Sequence, residues 1–387
     1  MPTCQRRKFE IVYRAVMMLS LLMIIWPVTA QDEHTTTVAA YRQAIVFSGP
    51  DVTFAERGVL NPGVPTTIIE RNQLGTWLHL QRIAEDGSIV MDGWVMTWDL
   101  NLPPELQYAD VPVADTADAD PTNVNSQSMS QLYTAPLIPQ LSTAMHEVFE
   151  RGQAAGNRAN SITKVGDSLS VTEQYINIFN QDDYNLGPYA ALEPTLQFFR
   201  SATGEQSVAV RQGMTTYTIF DPFWASDERC EPNESPLACE YRLKQPGIAF
   251  ILFGPNEVRD MTRDIFHENM RRIVETSINA GVIPVLSTFS THEDETFFWQ
   301  SVNFNLELLA LAEDYQVPLM NLWAAARPLP RRGLDVDLVH LTQTGANVLQ
   351  YPHGRHLEWE SGVALQNLLV LHTLDEIRRS LGLGENA

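Results

Sequence analysis

Positive charge is scarce in this chain. It has 26 Lys and Arg against 47 Asp and Glu, for a formal net charge of -21. Phosphate binding draws its affinity from clustered Lys and Arg, so this balance, with no basic run after the N-terminus, argues against a nucleic-acid partner. Cysteine is scarcer still, with three in 387 residues. Two cysteines without a nearby His cluster make a poor zinc site, and no metal is expected. There is no His-Glu-x-x-His helix, no Gly-x-Ser-x-Gly elbow and no P-loop, which removes three common catalytic frameworks. Long apolar runs are absent too, apart from one near the start, Ala15 to Trp26.

That run follows Arg6, Arg7, Lys8 and Arg14 and precedes Pro27-Val28-Thr29-Ala30. A charged stretch, an apolar stretch and a small-residue site form the three parts of a secretory signal peptide, here residues 1–30 with cleavage after Ala30. Uncut, the segment would act as an N-terminal membrane anchor, although it is shorter than the roughly 20 residues that span a bilayer. Either outcome puts the chain outside the cytoplasm, secreted or at the cell surface. Cys4 lies in the leader and is lost with it, so Cys230 and Cys239 remain as a pair in an exported chain. A disulfide is expected between them, contributing about 2 to 3 kcal/mol by loop-entropy arguments.

The mature chain divides by periodicity. From residue 36 to 102, short alternating runs are broken by turn signals such as Ser48-Gly49-Pro50 and Asn61-Pro62-Gly63, and further runs cover Thr66 to Glu70, Gly75 to Leu80 and Gly93 to Met96. This spacing predicts a small all-β barrel or sandwich. Trp77 and Trp94 are candidates to line a groove or to fill the barrel core. Residues 103–133 hold Asp110, Asp115, Asp118 and Asp120 among Ala, Pro, Thr and Ser, with no Lys, Arg or His up to Gln131. They read as a flexible acidic linker. The aspartates lack the glycine and glutamate of a calcium loop.

From 134 to 383 the pattern alternates between amphipathic stretches (139–156, 188–200, 260–280, 297–315, 361–381) and short apolar runs. The runs are Ile162 to Val165, Val208 to Val210, Ile248 to Phe253, Val282 to Leu286 and Val317 to Leu322. Strands alternating with helices imply a parallel sheet covered on both faces, a three-layer α/β/α fold.

Open parallel sheets present ligands at the carboxyl ends of their strands. Gly166-Asp167-Ser168-Leu169 follows the first run, so Ser168 faces a crevice there. A serine hydroxyl is a weak nucleophile and needs a base, an orienting acid and oxyanion donors. Asp337-Leu338-Val339-His340 supplies a carboxylate three residues before an imidazole. In a turn, the acid can accept from Nδ1-H while Nε2 faces the serine. Asn256, just past the Ile248 to Phe253 run, and Gly213, after Val208 to Val210, are candidate oxyanion donors together with the Ser168 N-H. A rival Asp-x-x-His, Asp264 to His267, falls in an amphipathic stretch where Ile265 and Phe266 look core-facing. The acidic run His292 to Glu295 is either a pocket rim or a solvated loop.

With these blocks in place, residues 134–383 resemble the SGNH/GDSL hydrolases. The resembling blocks are Gly166-Asp167-Ser168-Leu169, Gly213, Gly254-Pro255-Asn256 and Asp337 to His340 continued by Leu341-Thr342 and Gly345. Two features depart from the family pattern: Glu257 stands where the Gly-x-Asn block usually continues with Asp, and Gly213 lacks its common flanking Asn and Gly. Residues 36–102 resemble a bacterial SH3-like domain through Ser48-Gly49-Pro50, Gly58 to Gly63, Gly75-Thr76-Trp77-Leu78 and Gly93-Trp94-Val95.

Together the resemblances imply an esterase without cofactor, and the leader makes it a secreted one. Ser168, His340 and Asp337 would be its catalytic residues, Ser168, Gly213 and Asn256 its oxyanion hole, and small-molecule or O-acylated glycan esters its substrates. A cell-wall peptide is the partner implied for the SH3-like domain. The alternative is a non-catalytic extracellular or wall-binding protein in which the hydrolase fold is a scaffold.

Overall fold

Seven consecutive residues, Pro246–Leu252, are fully buried and form strand β9. A continuous apolar strand is what a parallel sheet covered on both faces requires. The computed structural model describes residues 36–384 apart from 125, 183, 185, 205 and 344–361. The expected signal segment, Cys4 and Gly345 lie outside the described residues.

Around β9 the order is β11 (Leu319–Met320), β10 (Ile283–Ser287), β9, β8 (Arg158–Gly166), with every pair parallel. Helices α2 (Thr143–Ala154), α5 (Pro236–Lys244), α6 (Arg263–Asn279), α7 (Phe298–Tyr315) and α9 (Gly362–Ser380) pack against these strands. Their ends follow local chemistry. Ser142 and Thr262 cap α2 and α6 by accepting from Met145 N and Ile265 N, while α7 stops at Gln316 in a left-handed conformation. Among the described residues no helix is long and apolar enough to cross a membrane. Cys230 and Cys239 form the expected disulfide.

Val208 to Val210, expected as a strand, contributes one parallel bridge, Gly166 with Val210. Side chains take the amides that a ladder would need. Val208 N-H donates to Glu240 Oε2 at 2.7 Å and Ala209 N-H to Ser207 Oγ at 3.0 Å.

The N-terminal strands form a separate antiparallel sheet of seven, in the order β3 (Glu56–Leu60), β2 (Ala44–Phe47), β6 (Ile89–Met96), β5 (Trp77–Ile83), β4 (Pro65–Arg71), β1 (Thr37–Ala40), β7 (Leu100–Asn101). The fold is therefore α/β with both parallel and antiparallel pairing, and not parallel alone. Trp77 and Trp94 are 2% and 3% exposed, so they fill the core and do not line a groove. Trp77 meets Phe47 edge-on, and Trp94 stacks on His79.

Residues 103–133 are not a loose tether. Leu106, Tyr108, Val111, Ala119 and Leu132 are buried, and Gln127–Thr134 forms helix α1. Tyr108 packs edge-on against Tyr189, and Arg71 pairs through its backbone with Pro112 and Ala114. A few apolar anchors spaced among the acids are enough to bind the segment down, so the described residues from 36 onward form one compact unit.

Candidate active site

Strand β8 ends at Gly166, where any side chain would collide. A Cβ there would lie 2.5 Å from Leu252 O and 2.7 Å from Ser170 Oγ. The chain then turns into a four-residue helix, α3 (Ser168–Val171), capped by Asp167, whose Oδ1 accepts from Leu169 N at 2.9 Å. Because Asp167 does the capping, the Ser168 hydroxyl is left for another partner. Ser168 N-H is the first amide of the helix and lies outside its ladder.

The partner is His340. Its Nε2 lies 3.0 Å from Ser168 Oγ, and its Nδ1 lies 2.6 Å from Asp337 Oδ2. The other carboxylate oxygen of Asp337 accepts from Val339 N at 3.0 Å and His340 N at 2.9 Å. The turn between them places Leu338 at φ 57. Burial raises the Asp337 pKa, but the bonds from the His340 ring and from the Val339 and His340 amides outweigh it and hold the group below its ordinary value. A charged acid facing Nδ1 fixes that nitrogen as the donor and leaves Nε2 to accept from serine.

The expected oxyanion donors sit on two loops that the fold stitches together. Arg211 to Met214 is a turn closed by Met214 N to Arg211 O at 3.0 Å, with Gly213 at φ +76. Its third position needs a positive φ, which selects glycine. Gly213 N-H has no partner among the described residues. Arg211 N-H donates to Gly166 O at 3.4 Å, which sets this turn beside the strand that carries Ser168. Asn256 Nδ2 donates to Met214 O at 3.3 Å, joining the second loop to the first.

Glu257 stands out in the sequence only as a departure from the family pattern. It is buried and joins the same two loops. One carboxylate oxygen accepts from Thr216 N at 2.7 Å and the other from Gly254 N at 3.2 Å. Burial raises its pKa to about 7 against these two bonds. Burial and the charge of Glu257 raise that of Asp167 well above the ordinary value, although Leu169 N-H works the other way.

A carboxyl raised in the folded state holds its proton more tightly there than when unfolded. The Glu257 contribution is therefore fully present below its ordinary value of 4.5 and lost as pH climbs through about 7. The loss amounts to roughly 3 kcal/mol by mildly alkaline pH. Glu257→Gln is expected to flatten denaturant-measured stability between acidic and mildly alkaline pH, even if losing an acceptor for Gly254 N-H lowers it throughout. An unchanged slope would refute the assignment.

The remaining candidates separate cleanly. His267 lies on α6 with Nδ1 2.7 Å from Glu307 of α7, a pairing between helices. Its neighbour Phe266 is core as expected, but Ile265 is 52% exposed. In the acidic run, Glu293 pairs with Arg327 and Arg332, while Asp294 and Glu295 wall a cleft of about 360 Å³. Asn256, Asp337, Arg259 and Phe297 line the same cleft. The only His/Cys/Asp/Glu cluster of metal-binding spacing among the described residues is Cys230, Glu234 and Cys239, and the disulfide already uses both of its sulfurs.

No family model matches the chain, and none of the curated proteins matches it. Several solved structures are similar to a little over half of it. A lipase/acylhydrolase from Enterococcus faecalis is 19% identical, with 56% of this chain and 96% of that one covered at a TM-score of 0.36. A GDSL-like lipase from Bacteroides thetaiotaomicron is 13% identical, with 61% and 100% covered at 0.34. An acetylxylan esterase from Geobacillus stearothermophilus is 14% identical, with 55% and 95% covered at 0.34.

Proposed function

We propose that the protein is a serine hydrolase of the SGNH/GDSL type that cleaves carboxylic esters. One observation carries the reading. Residues 172 positions apart in sequence meet so that one imidazole bonds a serine hydroxyl through Nε2 and an acid through Nδ1. A histidine that only filled space would not need both partners aligned in this way.

Ser168 Oγ attacks the acyl carbonyl as its proton passes to His340 Nε2. Asp337 holds the ring in the receiving tautomer and stabilises the imidazolium. The oxyanion is received by the Ser168 and Gly213 N-H groups and the second amide hydrogen of Asn256. As the tetrahedral intermediate collapses, the C-O bond to the alcohol breaks and the His340 proton goes to the departing oxygen. Water, deprotonated by the same imidazole, then attacks the acyl-serine, releases the acid and restores the hydroxyl. No step calls on a cofactor.

The cleft beside Asn256 and Asp337 mixes charged Arg259, Asp260, Asp294 and Glu295 with apolar Val258, Phe297 and Val339. The charged groups in so small a cleft support a polar alcohol such as an acylated sugar as the leaving group. We also propose, with this reading, an exported chain with residues 1–30 as its signal, an SH3-like segment at 36–102 and a hydrolase segment at 134–383. In the non-catalytic alternative Trp77 and Trp94 would not be the binding surface, because both are buried.

A fluorophosphonate probe tests the proposal. The wild-type protein is expected to be labelled once, at Ser168, and to hydrolyse short-chain esters and acetylated sugars. Absence of both would remove the reading.

A further inference from the structure

Pro330–Gly333 leads into the segment that carries Asp337 and His340, and its backbone is unusual. Arg331, Arg332 and Gly333 have φ values of 47, 58 and 73. Three successive left-handed residues, two of them with side chains, persist only where the surroundings over-determine them.

Arg332 supplies the constraint. Its Nε and Nη2 lie 3.4 and 3.2 Å from the two carboxylate oxygens of Glu293, and its Nη1 donates to Arg327 O at 2.5 Å. Its carbonyl accepts from Ser290 Oγ at 2.6 Å. Glu293 and Ser290 belong to the loop after β10, so this loop and the left-handed turn are joined at side chain and main chain together. Glu293 also lies 3.3 Å from Nη1 of Arg327, whose side chain is fully buried.

Beyond the turn, the chain folds into a short hairpin. Gly333 O accepts from Thr342 N at 2.9 Å, Leu334 bridges Leu341, and Asp335 N donates to His340 O at 2.8 Å. Asp337 and His340 lie at the tip of this hairpin, and its stem springs directly from Arg332 and Gly333. A twist at the stem is carried to the tip, where His340 Nε2 is held 3.0 Å from Ser168 Oγ.

We propose that Glu293 is a positioning residue for the hydrolytic site. Through Arg332 it locks the left-handed turn that aims the Asp337–His340 hairpin at Ser168. The inference rests on the serine-hydrolase reading above. The Arg332–Glu293 pair is partly exposed on both sides, and ion pairs of that kind add little to global stability. Its effect is therefore on geometry at the hairpin tip.

Arg332→Gly gives the sharpest test. Glycine adopts the left-handed backbone freely, the guanidinium is lost, and Arg327 keeps Glu293 as its partner, so folding is not put at risk. With a short-chain ester, kcat is expected to fall about tenfold to a hundredfold, the scale of a misplaced catalytic group. KM is expected to stay within about twofold, because substrate binding is not what the contact serves. The fluorophosphonate labelling rate falls with kcat and the Tm is held in Arg332→Gly, whereas Glu293→Gln shows the same kcat-against-KM split with a lower Tm, because buried Arg327 loses its carboxylate, and Glu293→Asp recovers part of the rate. Wild-type kcat and labelling rate in Arg332→Gly would overturn the proposal, as would a fall in kcat matched by a rise in KM or a collapse in Tm. A wild-type protein that neither labels nor turns over ester would instead remove the hydrolase reading and this inference with it.

Discussion

Ser168→Ala and His340→Ala are each expected to lower kcat on a short-chain ester by about a millionfold, the loss seen when nucleophile or base is removed from a comparable unit. Their Tm values should stay close to that of the parent. Ser168 does not hold its own helix, because Asp167 caps α3 and Ser168 Oγ bonds His340. His340 is 43% exposed at its side chain, so truncation leaves no buried cavity. The double variant should be scarcely worse than either single one, because serine without its base and base without its serine fail at the same step. Additive losses would mean that the two side chains act separately, and full activity in either single variant would end the serine-hydrolase reading.

This convergence was legible in the sequence because each part has a local signature. Gly-Asp-Ser follows an apolar run short enough to be a strand, and Asp337 lies three residues before His340, a spacing that a single turn closes. Asn256 carries the same kind of local signature, sitting just past a run that became β9. What stayed hidden depends on residues remote in sequence. Glu293 reads as one more acid in a solvated run until Arg327 and Arg332, 34 and 39 residues further on, come to meet it. Glu257 looked like a substitution in a motif, and only the fold brings Thr216 N-H to it across 41 residues. Val208 to Val210 has strand composition, but Glu240 and Ser207 claim its amides. The acidic segment from 103 to 133 misled in the other direction. Its average composition describes a tether, whereas its packing is decided by a handful of buried apolar side chains.

Asp337→Asn is expected to cost about 10⁴-fold in kcat, as when an orienting acid is replaced by its amide in a serine-histidine-acid unit. The reason lies in which oxygen does what. Oδ1 accepts from two backbone amides, Val339 N and His340 N, so that position must remain an acceptor. An asparagine satisfies it only with its carbonyl oxygen there, which puts the NH₂ group where Oδ2 now faces His340 Nδ1. Nδ1 must then accept, the ring proton moves to Nε2, and Nε2 can no longer receive the proton of Ser168 Oγ. Since the turn keeps both backbone bonds, Tm should be nearly unchanged. Asp337→Ala loses those bonds and should lower Tm as well as rate. Kinetics and thermal denaturation of the two variants side by side check the argument. If the asparagine variant were as unstable as the alanine variant, or as active as the parent, the carboxylate would not be setting the tautomer.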